Sequence, residues 1–255
     1  MQPAQELKER VRDHWDGEPC GVIHTDAPEG SSRFYDEIER RRDELEPFLP
    51  ELADFAGARG LSVLEIGVGI GTDFIRFARA GARVTGVDLT EHAVELVRRR
   101  LELEGLDGEV VQADAEQLPF AAGSFDRVYS WGVLHHTPDT DGAVREAIRV
   151  LAPGGSITVM LYNRISWVAF GLWVRRALLR GRPWLSLRHV LANHLESPGT
   201  KGYTAAEVRS MFAGLDELHV DVVGTRYDRY LAGPLGRIAP GRLGWFIVIR
   251  GRRPA

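Results

Sequence analysis

Lysine and cysteine are almost missing from this chain. Of 32 basic residues only Lys8 and Lys201 are lysines, which leaves 30 arginines spread along the sequence without a focused patch. Together with a formal net charge of -4, this argues against indiscriminate binding to nucleic acid. The single Cys20 excludes an internal disulfide and suits a reducing compartment. With no basic neighbour, it reads as a small apolar packing residue. Long apolar runs are missing too: the richest, Ile165 to Val174, is about half of the roughly twenty residues that a membrane span requires. Met1 to Glu18 is charged and polar, without the apolar centre of a signal peptide, so a cytoplasmic location is expected. No internal repeat or low-complexity segment is evident. What is present is ordinary for a globular enzyme-sized domain with elaborations: 255 residues, 44% of them hydrophobic.

The most informative stretch is Val63-Leu64-Glu65-Ile66-Gly67-Val68-Gly69-Ile70-Gly71. An apolar strand ends near an acid and turns through three alternating glycines, which lack the Cβ that would keep a ligand away from the backbone. A helix over Asp73 to Arg79 would start at this turn, with its unpaired N–H groups facing the crevice at the strand's carboxyl end. The spacing departs from the dinucleotide fingerprint, which places glycines first, third and sixth; here Thr72 is sixth. Glu65 also argues against a pyrophosphate, which it would repel, and suits an ammonium. Taken alone, the triplet also fits a tight turn that binds nothing.

Further strand ends follow in order. Arg83 to Val87 leads to Asp88, placed where an acid can accept from a ribose diol. Another apolar run ends at Gln112-Ala113-Asp114-Ala115. Phe125-Asp126-Arg127-Val128-Tyr129-Ser130-Trp131-Gly132-Val133-Leu134-His135-His136 reads as a fourth strand and its loop. Leu151-Ala152-Pro153-Gly154-Gly155 is expected to break the chain before a fifth strand over Ser156 to Leu161.

With these motifs in place, residues 60 to 162 resemble a class I S-adenosylmethionine-dependent methyltransferase. The resemblance implies a Rossmann-like α/β fold with a seven-stranded, mostly parallel sheet and a C-terminal antiparallel hairpin strand. It implies S-adenosylmethionine as cofactor and S-adenosylhomocysteine as product. Gly67, Gly69 and Gly71 would pass under the methionine part, with Glu65 near its amino group. Asp88 would hold the ribose hydroxyls and Leu89 the adenine face. Asp114 would accept from the adenine amino group, and the Ala115 N–H would meet a ring nitrogen. Ser130 and Trp131 would border the sulfonium through main-chain atoms. The runs Leu118-Pro119-Phe120 and Leu134-His135-His136, with the Pro-Gly-Gly turn, are usual in the subgroup acting mainly on small molecules.

Outside the sheet, residues 1–60 resemble the helical N-terminal cover of these enzymes, and residues 61–255 would form the cofactor-binding domain. Phe34-Tyr35-Asp36-Glu37 carries aromatic and charged groups able to close over the cofactor, with Tyr35 the preferred latch; an aromatic packed on the cover's inner face is the alternative. A helical insertion over 163–203 follows the fifth strand. In it, Trp167, Phe170, Trp173 and Val174 recur at helical spacing before Arg175, Arg176, Arg180 and Arg182. This reads as a helix packed on the body, or else as a lid or a membrane-surface helix, and its place after the fifth strand favours the lid. Thr204-Ala205-Ala206-Glu207 has capping-box spacing and opens a helix to about Phe212. Glu217 to Val223 and Gly244 to Arg250 are β-rich and joined by a Gly/Pro loop.

The sulfonium is already an activated donor, so the protein must chiefly orient a nucleophile, and a base is needed only for a hydroxyl or protonated amine. His135 or His136, placed after the fourth strand, is the candidate base, with Tyr35 as another proton acceptor. No metal is expected: His135, His136 and Asp139 are three neighbouring ligand types without an evident geometry. The expected partner is a small-molecule acceptor methylated on oxygen or nitrogen, with no nucleic acid. The fourth-strand loop Ser130-Trp131-Gly132-Val133 lacks the Asn/Asp-Pro-Pro-aromatic stretch typical of exocyclic-amine methylases of nucleic acid. An RNA or protein methyltransferase, or a relative using the pocket for a non-methyl reaction, are the alternatives.

Overall fold

The computed structural model describes residues 3–17, 19, 21–228, 241 and 243–255. Cys20 and most of the Gly/Pro loop before the last strand lie outside these residues. The element order begins with α1 (Pro3–Gly17), α2 (Ser32–Leu45) and α3 (Leu49–Ala53). Strands and helices then alternate: β1 (Ser62–Ile66), α4 (Thr72–Arg79), β2 (Arg83–Asp88), α5 (Glu91–Glu104), β3 (Glu109–Gln112), β4 (Phe125–Trp131), α6 (Thr140–Val150) and β5 (Leu151–Tyr162). The insertion carries α7 (Trp167–Arg176) and α8 (Leu187–His194), before α9 (Ala205–Met211), β6 (Asp216–Val223) and β7 (Phe246–Arg252).

These strands form one seven-stranded sheet in the order β3-β2-β1-β4-β5-β7-β6. Only β7 runs against its neighbours, pairing antiparallel with both β5 and β6. The order reverses between β1 and β4, and at such a switch point the crevice beyond the strand ends binds ligands. Period-two alternation divides the core between the two faces. Val63, Tyr129, Met160 and Val248 join α4 and α5 on one side, and Leu64, Val128, Ile157 and Ile249 join α6 and α9 on the other. Each fully buried side chain of this kind contributes about 1.5–3 kcal/mol.

The expected break at Leu151 to Gly155 takes a different form. Leu151 already pairs with Phe125, and the register then jumps to Arg127 opposite Ser156, so the Pro-Gly-Gly triplet bulges out of a continuous β5. Gly154 supplies the left-handed residue (φ 74°) that this bulge requires. The Thr204–Glu207 capping box forms as expected and opens α9.

The helical cover is clamped to the sheet domain by arginines. Glu39 of α2 accepts from Arg76, Arg79 and the fully buried Arg100. Leu49, Ala53 and Ala58 are buried in the same core cluster as β1 and α4. A buried Arg–Glu cluster is costly to break once formed, because removing one member leaves an uncompensated charge.

Candidate active site

The carboxyl ends of β1 to β4 meet where the three glycines turn into α4. Alternation along β1 sends Glu65 to the side opposite Leu64 and Ile66, toward Asp73 and Arg42. Burial pushes its carboxyl well above the usual range, the nearby Asp73 charge adds to this, and Arg42 opposes it. One Asp73 oxygen accepts from the Arg42 guanidinium (2.7 Å) and the Tyr129 hydroxyl (2.8 Å). Its other oxygen and Oε2 of Glu65 are buried with no hydrogen-bond partner among the described residues. Two such oxygens beside a glycine turn leave buried acceptor capacity that the N–H groups of an ammonium would satisfy.

Each glycine of the turn has a different reason to be glycine. A Cβ on Gly67 (φ 80°) would lie 2.2 Å from Cγ2 of Val133, so this position lets the β1 turn pass against the β4 loop. A Cβ on Gly71 would meet Val97 of α5 at 2.8 Å, so that position lets α4 and α5 pack closely. Gly69 (φ 52°) alone has nothing within 4 Å and faces the open crevice, and its N–H donates to Oδ2 of Asp88 at 3.0 Å.

Asp88 also accepts at Oδ1 from the Thr90 N–H (3.0 Å) and hydroxyl (2.9 Å). Burial raises its carboxyl, and these donors pull it back. Leu89 is half-buried beside it, its carbonyl accepting from the Gln112 amide. Asp114 accepts from the Glu116 N–H at 2.9 Å and from the Lys8 ammonium at 2.5 Å, and Ala115 is buried next to it. The Ser130 hydroxyl donates to the Ile66 carbonyl (2.9 Å) and the Trp131 indole to Glu46 (2.8 Å). With both side chains engaged in the body, these two residues present main chain at the end of β4.

His135 and His136 are buried in a short 3-10 turn two residues beyond Val133. Both nitrogens of His135 lack a hydrogen-bond partner among the described residues, and its ring lies 3.9 Å from that of Tyr162. Burial, then the charges of His136 and Lys201, hold its imidazole well below the usual range. His136 falls to about 3, through burial first and then His14 and Lys201. Its Nδ1 lies 2.8 Å from the Ser197 hydroxyl and 3.1 Å from the Thr200 hydroxyl. Thr200 donates its own hydrogen to the Ser197 carbonyl, so its oxygen can only accept, and this favours a proton on Nδ1. Nε2 is then an open acceptor, 3.4 Å from Oε2 of Glu196.

Glu196 is the residue that the sequence reading missed. The Tyr162 hydroxyl donates to its two oxygens at 3.1 Å, and burial pushes the carboxyl up to about 7 although 35% of the side chain stays open to solvent. A signal was available: no acid occurs between Asn163 and Leu195, so Glu196 is the insertion's first. His135, His136 and Glu196 bring potential ligand atoms within 4.8 Å of one another. Lys201, whose charge depresses both imidazoles, sets the local field against a further cation. Asp139 is not part of this group, because its carboxylate caps α6 through the Gly142 N–H.

The structure does not bring Tyr35 to the histidine pair. Its hydroxyl donates to the Leu96 carbonyl of α5 at 2.7 Å, the ring packs with Phe34 and Ile38 under Arg100, and burial raises the phenol to about 12. The element lying across the site is α1. Lys8 reaches Asp114, Val11 is buried, and Trp15 sits edge-on to His136 at 5.1 Å, so one helical stripe touches both ends of the crevice.

A family model described as a methyltransferase domain matches residues 63–155, the glycine turn through the Pro-Gly-Gly bulge. These residues form a methyltransferase domain of the class I, S-adenosylmethionine-dependent type. The chain is 40% identical over 103 residues to methyltransferase GfsG of Streptomyces halstedii, covering 39% of this chain and 37% of that protein. It is 37% identical over 132 residues to the 27-O-demethylrifamycin SV methyltransferase of Amycolatopsis mediterranei, covering 51% and 46%. The match therefore spans less than half the length of these curated relatives. Among solved structures, the [4+2]-cyclase SpnF aligns with a TM-score of 0.57 at 20% identity, covering 100% of this chain and 96% of that one. A SAM-dependent methyltransferase of Methanosarcina mazei aligns with a TM-score of 0.55 at 20% identity, covering 77% and 93%. Likeness at this identity shows the fold alone. Within the methyltransferase domain, the unpartnered oxygens of Glu65 and Asp73, the open space above Gly69 and the acids of β2 and β3 fit the ammonium and adenosine ends of the cofactor.

Proposed function

We propose that this chain transfers a methyl group from S-adenosylmethionine to an oxygen or nitrogen of a small-molecule acceptor. The observation that carries the reading is a pair of buried carboxylate oxygens, Oε2 of Glu65 and Oδ1 of Asp73, without a partner among the described residues at a glycine turn inside a methyltransferase domain. When bound, the cofactor supplies a methyl group already activated on sulfur. The chain's own residues do the rest. Glu65 and Asp73 receive the ammonium, Asp88 the ribose hydroxyls and Asp114 the adenine amino group, while the main chain of Ser130 and Trp131 borders the reacting end. Orientation of the acceptor can account for roughly 7–11 kcal/mol of the barrier.

A hydroxyl acceptor must also lose a proton. His135 and His136, so depressed by burial, stay neutral at physiological pH, and the carboxyl best matched to that pH is Glu196. In this reading Nε2 of His136 and the Glu196 carboxylate share the acceptor's proton, Tyr162 positions the carboxylate, and Ser197 and Thr200 fix the imidazole. Two relatives support an oxygen acceptor by name: the rifamycin enzyme and the ubiquinone biosynthesis O-methyltransferase of Xanthomonas oryzae, 36% identical over 139 residues.

Calorimetry with S-adenosylmethionine tests the reading. Binding is expected to tighten as pH rises, because an ammonium beside Glu65 lowers its raised pKa and expels a proton. Asp88→Ala is expected to weaken it by about 1.5–3 kcal/mol. Folded wild-type protein that binds no cofactor overturns the reading. Cofactor binding without S-adenosylhomocysteine formation across an acceptor panel assigns the pocket to a non-methyl reaction.

A further inference from the structure

Seven large apolar side chains are exposed among the described residues, and five of them, Ile165, Phe170, Leu178, Leu179 and Trp184, fall within one stretch of the insertion. Leu179 and Trp184 each keep 75% of their surface in water. Single exposed apolar residues are unremarkable, but a concentration of this kind marks a surface that something covers. The cover the charges fit is a negative one. Arg175, Arg176, Arg180 and Arg182 interleave with these residues, are exposed, and form no ion pair with any described residue. No acid occurs from Asn163 to Leu195, although the whole chain carries a net charge of -4.

We infer that the tract from Ile165 to Trp184, α7 and the turn after it, docks on an anionic lipid surface. The apolar residues lie along a short helix and the Leu-Leu-Arg-Gly-Arg-Pro-Trp connection, and a bilayer interface accepts such side chains without demanding a matching shape. Tryptophan and arginine together suit the headgroup level, where a ring is half apolar and a guanidinium meets phosphate. With ten residues, α7 extends about 15 Å, so it lies on the surface and does not cross it. The insertion is held on the protein by other residues: Val168 and Ala169 of α7 and Val190 and Leu191 of α8 are buried, and Glu196 at its far end reaches the histidine pair. A position after the fifth strand alone favours a lid; the exposure and unpaired charge of this tract favour the membrane surface.

Flotation of the full chain with vesicles of phosphatidylcholine, with and without phosphatidylglycerol, tests this. The wild type is expected to float with the anionic vesicles and not the neutral ones, and to be released by salt. Replacing all four arginines (R175Q, R176Q, R180Q and R182Q together) is expected to lower partitioning more than a hundredfold, at about fivefold per arginine near the surface. Leu179→Ser with Trp184→Ser is expected to lower it about tenfold with an unchanged melting temperature, since both are exposed. A wild type that stays in solution with anionic vesicles, or an arginine variant that floats equally well, overturns the proposal. A concentration-dependent dimer that Leu179→Ser with Trp184→Ser dissociates, without vesicle binding, assigns the surface to a second copy of the chain and overturns it too.

Discussion

Asp88 and Glu196 are carboxylates at the carboxyl edge of the same sheet, both raised by burial, yet the chain reaches them by different routes. Asp88 ends β2, where the parallel ladder fixes its register against Gln112, and its donors Gly69 and Thr90 belong to the adjacent turn and the start of the next helix. Glu196 follows two helices of an insertion, and its donor Tyr162 is 34 residues away at the end of β5. A residue at a strand tip inherits its position from the sheet, whereas Glu196 inherits its position from the way the insertion, with α7 packed on α8, folds back to Tyr162 and His136. In the proposed assignment the cofactor half is therefore fixed by topology, and the acceptor half can vary without disturbing it.

The sharpest way to break this contrast lies within the glycine turn. Gly67→Val introduces a side chain at a positive φ with its Cβ 2.2 Å from Val133, and is expected to cost about 3 kcal/mol or more of stability and to abolish cofactor binding. Gly69→Ala meets nothing within 4 Å, so its stability cost is expected to stay near 1–2 kcal/mol, while the new methyl group intrudes on the crevice. Thermal melts and calorimetry on the pair separate the two effects. If Gly69→Ala binds S-adenosylmethionine as tightly as the wild type, the open face of the turn is not the cofactor's floor.

The acceptor half predicts a loss of rate without a loss of binding. Glu196→Gln and His136→Ala are each expected to reduce turnover about 10²- to 10⁴-fold with little change in cofactor affinity. Because the Glu196 carboxyl is raised to about 7, its ionised fraction grows as pH rises through neutrality. For a hydroxyl acceptor, kcat/KM is expected to climb over that interval and level off, and Glu196→Gln is expected to remove the climb. His136, depressed to about 3, stays neutral throughout and adds no limb of its own. The same shift acts on folding with a definite sign. A carboxyl with a raised folded pKa adds stability below its ordinary value of 4.5 and loses it as pH rises through about 7, so Glu196→Gln is expected to flatten part of any melting-temperature decline across that range. A rate unchanged in both variants moves the proton to another group and leaves the cofactor half intact.

The strand-end placement of the residues proposed to hold the cofactor was readable in the sequence for the reason the contrast gives. Glu65, Asp88 and Asp114 announce themselves because strand periodicity, a terminal acid and a following turn are all local. The capping box at Thr204 was readable on the same grounds, whereas the reversed direction of β7 came from the family resemblance. Tyr35 was attractive because an aromatic on a cover helix can point either way, and only packing on Leu96 and Arg100 turns it toward α5. The Pro-Gly-Gly break depended on whether Leu151 finds Phe125 across the ladder, which no local pattern encodes. Glu196 acquires its meaning only when the insertion folds back so that the Lys201 N–H donates to the His135 carbonyl and the Ser197 hydroxyl meets Nδ1 of His136.

The smallest expected effect concerns α1, which touches both halves. Lys8 bridges Asp114 and Glu116 with its side chain still partly open to solvent, and such pairs contribute at most about 1 kcal/mol. Lys8→Ala is therefore expected to leave the melting temperature nearly unchanged. Its consequence should appear in binding. Both Asp114 oxygens are engaged, one by the Glu116 N–H and the other by Lys8, so an adenine amino group must share or displace the ammonium. Removing Lys8 frees that oxygen, and S-adenosylmethionine is expected to bind about three- to fivefold more tightly, a difference of roughly 1 kcal/mol or less. Turnover with a hydroxyl acceptor should change little while Trp15 remains against His136, since Val11 and Leu7 still seat the helix on the body. Weaker binding in Lys8→Ala gives the opposite answer: the ammonium then contacts the cofactor itself, and α1 completes the adenine end of the site.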